Sequence, residues 1–268
     1  MNCPAPSLSR RSVSTTWMQF AIGSRRPISR HTTVVLTQRF RGTALKHFLS
    51  IVSHGKANEW RDLPPEMHER AGLLTGKDIE GKTISGHRHP LFFLHFDGEQ
   101  ATRLCIWRAT KFEHEEQQAF LKAAAAPLAL NFKNSDWAAN IIPLDHLVPP
   151  PPAIGDQSAR IWESATPYIP PRHVHDRQGK EKPGESVMDQ VRSELAGRGF
   201  PEADVSLISP ASEWIKVHRP SRTNVEATND DKRGYQVRVI FSEPQSGPIF
   251  LGNSCHFGLG LFIPSAQT

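Results

Sequence analysis

The sequence predicts an α+β protein built as two tandem ferredoxin-like (RRM-like) halves, with a C-terminal glycine-rich loop. Three observations predict it. The order strand, helix, strand, strand, helix, strand is legible in the first part of the chain. A proline run, VPPPPA from Val148 to Ala153, then reads as a linker or rigid spacer, after which the same order recurs. Finally, the chain closes on GPIFLGNSCHFGLGLFIP, Gly247 to Pro264, where four glycines sit among apolar residues. The expected boundaries are a basic tail over 1–16, a first half over 17–147, a linker over 148–158, and a second half over 159–268 that contains the loop 247–264. At 268 residues, a single larger α+β domain is the alternative.

In the first half, TWMQFAI (Thr16 to Ile22) reads as a strand. Leu36 to Val52 reads as a helix, with Leu36, Phe40, Ala44, Phe48, Ile51 and Val52 at three- and four-residue spacing. Pro64, Pro65, Gly72, Gly76 and Gly81 mark a long loop. PLFFLHF (Pro90 to Phe96) and TRLCIWRA (Thr102 to Ala109) are short apolar runs joined through Asp97-Gly98, a strong hairpin signal. EHEEQQAFLKAAAA begins at Glu113 with acids in its first turn, as the helix dipole prefers, and Pro127 ends that helix. LALNF (Leu128 to Phe132) is the candidate fourth strand.

In the second half, ARIWESATPYI (Ala159 to Ile169) reads as a strand, and ESVMDQVRSELAGRGF (Glu185 to Phe200) as a helix stopped by Gly197 and Gly199. ADVSLI (Ala203 to Ile208), SEWIKVHR (Ser212 to Arg219) and YQVRVIFS (Tyr235 to Ser242) are extended, and HFGLGLFI closes the chain as the last strand.

Charge narrows the function. The net charge is +5, and thirteen histidines can add to it. No acid precedes Glu59, whereas nine arginines and lysines do. Such asymmetry reads as a face that meets a polyanion, nucleic acid first and an acidic membrane surface second. The three cysteines, Cys3, Cys105 and Cys255, form no CxxC pair, so neither a disulfide framework nor a zinc ribbon is indicated, and a reducing, cytoplasmic setting is expected. No apolar run approaches the roughly 20 residues of a membrane span, and the Arg/Ser-rich N-terminus lacks the apolar core of a secretory signal. Neither GxxxxGK[ST] nor GxGxxG occurs, which removes support for nucleotide hydrolysis and dinucleotide binding, and GxSxG is absent as well.

The chemistry-bearing candidates are histidines and arginines. GHRHP carries His87 and His89, and PRHVH carries His173 and His175, each pair at i, i+2. The spacing allows metal chelation on one strand face, or acid–base chemistry by imidazole near neutral pH. No well-placed carboxylate follows either pair, which disfavours metal; an ordinary loop role also fits, most of all for His175. His47 and His54 lie in or just after the first basic helix beside Lys46 and Lys56, where a phosphate-facing role competes with simple packing. Lys216 to Val239 forms two extended arms around a polar loop, with Arg219, Arg222, Arg233 and Arg238 making a basic hairpin. The four glycines would let a ligand backbone come close; a bulged strand packed against another backbone is the alternative.

Four segments, taken in order, then resemble one family. They are LLTGKDIEGKTISGHRHPLFFL (Leu73 to Leu94), IWESATPYIPPRH (Ile161 to His173), SELAGRGFP (Ser193 to Pro201) and the terminal glycine-rich segment. Together they resemble the RAMP superfamily of CRISPR-associated proteins. Within it they are most similar to the repeat-processing half, "Cas six", of the type I-U (I-G) subunit in which it is fused to a "Cas five" half. The resemblance spans roughly Trp17 to Pro264. The fused form's other half has no counterpart in these residues, so its role in holding the 5′ handle of the guide RNA is not carried over.

The resemblance implies an endoribonuclease that cuts CRISPR repeat RNA in precursor transcripts without metal or other cofactor. The 2′-hydroxyl attacks the adjacent phosphate, leaving a 2′,3′-cyclic phosphate and a 5′-hydroxyl. That reaction needs a base, an acid and positive charge on the phosphorane. On the matching motifs, His87 and His89 are the first candidates and His47 and His54 the second, with Arg88 stabilising charge and His173 as a partner. Gly252, His256, Gly258 and Gly260 would contact RNA with the basic hairpin. The implied partners are precursor and mature CRISPR RNA and other type I effector-complex subunits.

Overall fold

The computed structural model describes residues 15–57, 59, 62–78, 80, 82, 84, 88–129, 138–209, 213–218 and 229–265. The expected basic tail lies outside these residues, apart from Thr15 and Thr16.

The first half is a sheet covered on one face by helices. Strand β1 (Trp17–Ser24) leads to helix α1 (Thr33–Val52), then α2 (Pro65–Thr75), β2 (Leu91–Asp97), β3 (Gln100–Trp107), α3 (His114–Ala124), β4 (Leu128–Ala129) and β5 (Ala138–Pro143). The sheet order is β2-β3-β1-β5-β4, and every described pairing in it is antiparallel. Setting aside the two-residue β4, this is the ferredoxin-like arrangement, with β5 in the fourth-strand place.

Local chemistry explains these elements. Along α1, Leu36, Phe40, Ala44 and Phe48 recur every four residues and are fully buried, so one stripe of the helix faces the sheet. The β2–β3 hairpin turns at Gly98, whose φ of 61° suits a residue without Cβ, and Asp97 faces Gln100 across the turn. Helix α3 starts with a capping box between Glu113 and Glu116. Glu116 also takes both arms of Arg108, at 2.6 and 2.8 Å, in a buried pair.

Two sequence expectations are corrected in this half. The stretch marked by Pro64 and Pro65 as loop contains α2. Pro65 occupies the first helical turn, where its missing N–H costs nothing, and Gly76 closes the helix in the left-handed region at φ 69°. The fourth strand is β5; of the LALNF candidate, Leu128 and Ala129 form the edge strand β4, and its other three residues lie outside the described residues.

The second half contains β6 (Ser158–Ser164), α4 (Val187–Gly197), β7 (Ala203–Leu207), β8 (Glu213–His218), β9 (Asn229–Gly234), β10 (Val237–Ser246), β11 (Ile249–Phe250) and β12 (Leu261–Pro264). Its sheet runs β11-β12-β6-β10-β7. Thus β6, α4, β7, β10 and β12 follow the ferredoxin-like path, but the second helix is missing. Its place between β10 and β12 is taken by the glycine-rich segment, with a single 3-10 turn at Cys255–Phe257. The last strand is accordingly shorter than the HFGLGLFI expectation, because His256 lies in that turn. Strands β8 and β9 form a separate antiparallel hairpin, with Glu213 opposite Gly234 and His218 opposite Asn229.

Four apolar clusters form among the described residues, the smallest made of Val34, Ile169 and Leu259. One lies between the first sheet and α1 and α3, a second between the second sheet and α4. The third joins the halves: Leu91, Phe93 and Cys105 of the first sheet pack with Phe250, Cys255 and Leu261. Phe93 and Phe250 meet nearly edge-on, with ring centroids 5.2 Å apart. Ala153, the last residue of the proline run, and Ile154 after it belong to this cluster, and the run precedes them on the first sheet. It is pinned to the first sheet by Gln19 donating to the Val148 carbonyl at 2.7 Å and by Arg103 donating to the Pro149 carbonyl at 3.0 Å.

Candidate functional site at the seam between the halves

The glycine-rich segment is the joint between the halves. A Cβ on Gly258 would lie 2.9 Å from the Cα of Phe93 on β2 and 2.9 Å from Thr33 at the start of α1. At Gly252 it would meet the Ile169 carbonyl oxygen at 2.6 Å, and at Gly247 the Trp162 ring at 2.8 Å. At Gly260 it would overlap the Leu251 carbonyl. The N–H groups are also engaged: Gly252 donates to Glu194 at 2.9 Å, and Gly260 to the Pro167 carbonyl at 2.9 Å. The space that the sequence reading reserved for an RNA backbone is therefore occupied by protein. Close packing against another backbone accounts for all four glycines.

Helix α1 receives this segment on one stripe. Thr33, Thr37 and Arg41 stand four residues apart and so share a face. Thr33 abuts Gly258, the Thr37 hydroxyl lies 3.1 Å from the Phe257 carbonyl, and the Arg41 guanidinium sits 4.3 Å above the Phe257 ring. Arg41 also donates to the Thr75 carbonyl at the end of α2, at 3.0 Å. Burial pulls the Arg41 guanidinium down to about 10 from its ordinary value of 12.5.

Two imidazoles also meet through this segment. His89, in the segment entering β2, and His256, in the 3-10 turn, stack with ring centroids 3.5 Å apart and planes tilted by 34°. His89 is 8% exposed and His256 is half-buried. Gly76, the C-cap of α2, lies under the His89 ring, and a Cβ there would sit 3.1 Å from it. Neighbouring Cys255 is buried, and burial pushes its thiol up.

The other expected site residues fall elsewhere or outside the described residues. His87, Arg219 and Arg222 are outside them. Arg88 is exposed and pairs with Glu69 at 3.4 Å. His47 is on α1, but six residues beyond Arg41 places it about 9 Å further along the axis and turned by about 120°. His54 follows the end of that helix, exposed and in the left-handed region at φ 51°. His173 is exposed in the crossover between β6 and α4, next to Arg172, which holds Glu185 at 2.7 Å. Arg233 is exposed on β9 opposite Trp214. Arg238 is held by Glu163 at 2.6 Å across β10 and β6. Of the named candidates, the structure brings together His89, His256 and Gly258.

Sequence reasoning missed a second feature. A cleft of about 420 Å³ between the halves is lined by Arg30, His95, Phe96, Glu163, Gln236 and others. Arg30 crosses it, donating to the Ala165 carbonyl while its guanidinium lies 5.2 Å over Phe96. His95 faces Asp97 at 3.4 Å, and burial, then Arg103, pull its imidazole below the ordinary value, an effect that Asp97 partly opposes. The i, i+2 spacing of His95 and Asp97 on a strand was the available signal. Among the described residues, no cluster of three or more histidine, cysteine or acidic side chains is placed to hold a metal, and no helix is long and apolar enough to cross a membrane.

The topology and seam define a tandem ferredoxin-like α+β protein. No family model matches the chain, and no curated protein matches it significantly. Among solved structures, it is similar to a Cas6-related protein from Pyrococcus furiosus: 13% identity, TM-score 0.47, covering 94% of this chain and 99% of that one. It is also similar to a RAMP protein binding different RNA substrates, at 14% identity and TM-score 0.43, over 92% and 98% of the two chains. A third is Csf5, a type IV Cas6 crRNA endonuclease, at 9% identity and TM-score 0.42, over 93% and 98%.

Proposed function

We propose that this chain is an endoribonuclease that cuts CRISPR repeat RNA in precursor transcripts, without metal, and stays bound to the mature guide within a type I effector complex. The observation that carries the reading is the seam. Two ferredoxin-like halves are closed by a glycine-rich segment that sets His256 against His89, with Arg41 over the ring of Phe257, the residue after His256. The motif resemblance and the net charge of +5 point the same way.

In this reading, neutral His89 takes the proton from the 2′-hydroxyl. The 2′-oxygen then bonds to phosphorus, the bond to the 5′-oxygen breaks, and that oxygen is protonated as it leaves. His87, Arg88, His47, His54 and His173 remain the further candidates for acid, base or charge stabilisation. Arg219, Arg222, Arg233 and Arg238 would hold the RNA. The low exposure of His89, 8%, favours a second reading as a non-catalytic RNA-binding subunit.

The deciding experiment is incubation with the cognate repeat RNA in EDTA. Cleavage to a 2′,3′-cyclic phosphate and a 5′-hydroxyl supports the nuclease. Tight, salt-sensitive binding by folded protein with no cleavage supports the second reading instead.

A further inference from the structure

The glycine-rich segment leaves the second sheet at β11, carries the turn of Cys255–Phe257 to the first half, and returns at β12. Both ends of that excursion rest on one short stretch after β6. Asn253 donates to the Ile169 carbonyl at 2.8 Å at one end, and Gly260 to the Pro167 carbonyl at 2.9 Å at the other. The stretch is itself fixed, because Tyr168 exchanges two backbone hydrogen bonds with Tyr235, at 2.8 and 2.9 Å. What the tip of the excursion meets therefore depends on how its ends are held.

One carboxylate ties these parts together. Glu194 of α4 has a side chain 19% exposed. Its Oε1 accepts from the Tyr168 hydroxyl at 2.9 Å, and its Oε2 from the Gly252 N–H at 2.9 Å. Tyr168 is fully buried, so its hydroxyl needs an acceptor. Arg198, one turn further along at the end of α4, reaches Oε2 at 3.3 Å and balances the charge. The same guanidinium nitrogen lies 3.8 Å from the Cys255 sulfur, in the turn itself.

A neutral acceptor would satisfy the tyrosine alone. A carboxylate mostly out of water carries a desolvation cost that is offset only when its donors are in place. Such a group favours the one arrangement of Tyr168, Gly252 and Arg198 that satisfies it, and disfavours looser ones. These residues come from IWESATPYIPPRH, SELAGRGFP and the terminal glycine-rich segment, three of the four stretches that carry the resemblance. Beyond this node, the turn meets the first half: Phe257 on Thr37 and Arg41, and His256 on His89.

We propose that Glu194 is a positioning residue: its carboxylate fixes the departure of the glycine-rich segment at Gly252 and so sets His256 and Phe257 against the first half. Its effect on cleavage rests on the nuclease reading; its effect on the geometry of the seam does not. Removing the carboxylate releases the Gly252 N–H and the Tyr168 hydroxyl together. The apolar contacts of α4 through Val187, Val191 and Leu195 are untouched. The second half should thus keep its core while the turn shifts, and a misplacement of about 1 Å is enough to lower a rate by about 100-fold.

The test is Glu194→Ala and Glu194→Gln in the intact chain, read first by NMR. The wild type should show a contact between the His89 and His256 rings. Glu194→Ala should lose it, while the methyl signals of Val205 and Val239, on the second sheet, stay in place. Should that variant fail to fold, Glu194→Gln decides. It keeps the side-chain length but turns an amide donor towards one of the donors that the carboxylate accepted from, so the ring contact should weaken. An undiminished contact in the folded variant overturns the proposal. Single-turnover cleavage of repeat RNA is the second readout. The rate should fall by about 10-fold or more, with RNA affinity within about twofold. An unchanged rate, or equal losses of rate and affinity, overturns the positioning role in catalysis. A wild type that cleaves nothing overturns the nuclease reading, while loss of the ring contact still upholds Glu194 as the residue that sets the seam.

Discussion

Gly258 and Thr33 touch across the two halves: a Cβ on the glycine would lie 2.9 Å from the threonine methyl, and equally close to the Phe93 Cα. Neither neighbour is the flexible end of a long side chain, and Gly258 has a φ of 83°. Gly258→Ala combines left-handed strain with overpacking, so it should cost about 2–4 kcal/mol of unfolding free energy. Gly55→Ala provides the control: its φ is similar, 79°, but no atom lies within 4 Å. It should cost only about 1 kcal/mol. Denaturant unfolding of the two variants checks the difference, and equal losses would show that packing at the seam contributes nothing.

This contact also shows where the sequence was legible. The four-residue stripe of α1 and the Asp97-Gly98 hairpin are local signals, and both elements formed where their periodicity and turn chemistry required. Helix α2 was hidden by Pro64-Pro65, a pair that punctuates a loop and starts a helix equally well. Strand β5 was hidden because Ala138, Asn140 and Pro143 are poor strand formers that tertiary pairing with β1 nevertheless holds. His89 stood out through its motif, but its stacking with His256 is a contact between distant parts of the chain. Local spacing carries no trace of such a contact. The glycines were conspicuous, yet composition alone cannot tell a neighbour within the protein from a ligand.

The Arg108–Glu116 pair supports a second stability prediction. Both side chains are almost fully buried, and Glu116 also accepts from the Glu113 N–H at 2.8 Å, completing the cap of α3. Glu116→Ala leaves a buried guanidinium without its carboxylate and should cost about 3–5 kcal/mol. The exposed Arg88–Glu69 pair is the contrast: Glu69→Ala should change stability by less than about 1 kcal/mol. Chemical unfolding of both variants tests this, and a small loss at Glu116 would refute the view that this pair anchors α3.

His95 predicts a pH dependence of stability. Its folded-state value is held below the ordinary 6.5, chiefly by burial and next by Arg103. The unfolded chain therefore takes up its proton first as pH falls. Stability from this group is complete above about 6.5 and declines as pH drops towards the lower folded value. His95→Gln should flatten that part of the stability curve. Parallel curves for wild type and variant between pH 7 and pH 5 would contradict it.

The last prediction separates two places for the chemistry. His47 lies on α1, turned away from Arg41 and further along the helix, whereas His89 lies at the seam. If cleavage is carried out at the seam, His89→Gln should lower the single-turnover rate on repeat RNA by about 100-fold or more, as loss of a general base does. RNA affinity should stay within about threefold, because phosphate contacts dominate binding. His47→Gln should then leave the rate within about threefold. The reverse pattern would move the active centre to the face of α1 and leave the stacked pair a structural element. Loss of activity in both variants, with affinity retained, would mean that the RNA spans both positions, placing the scissile phosphate between α1 and the glycine-rich turn. Measuring thermal unfolding alongside the rates keeps these outcomes distinct from simple misfolding, since His89 is buried beside Gly76 and its replacement also alters packing.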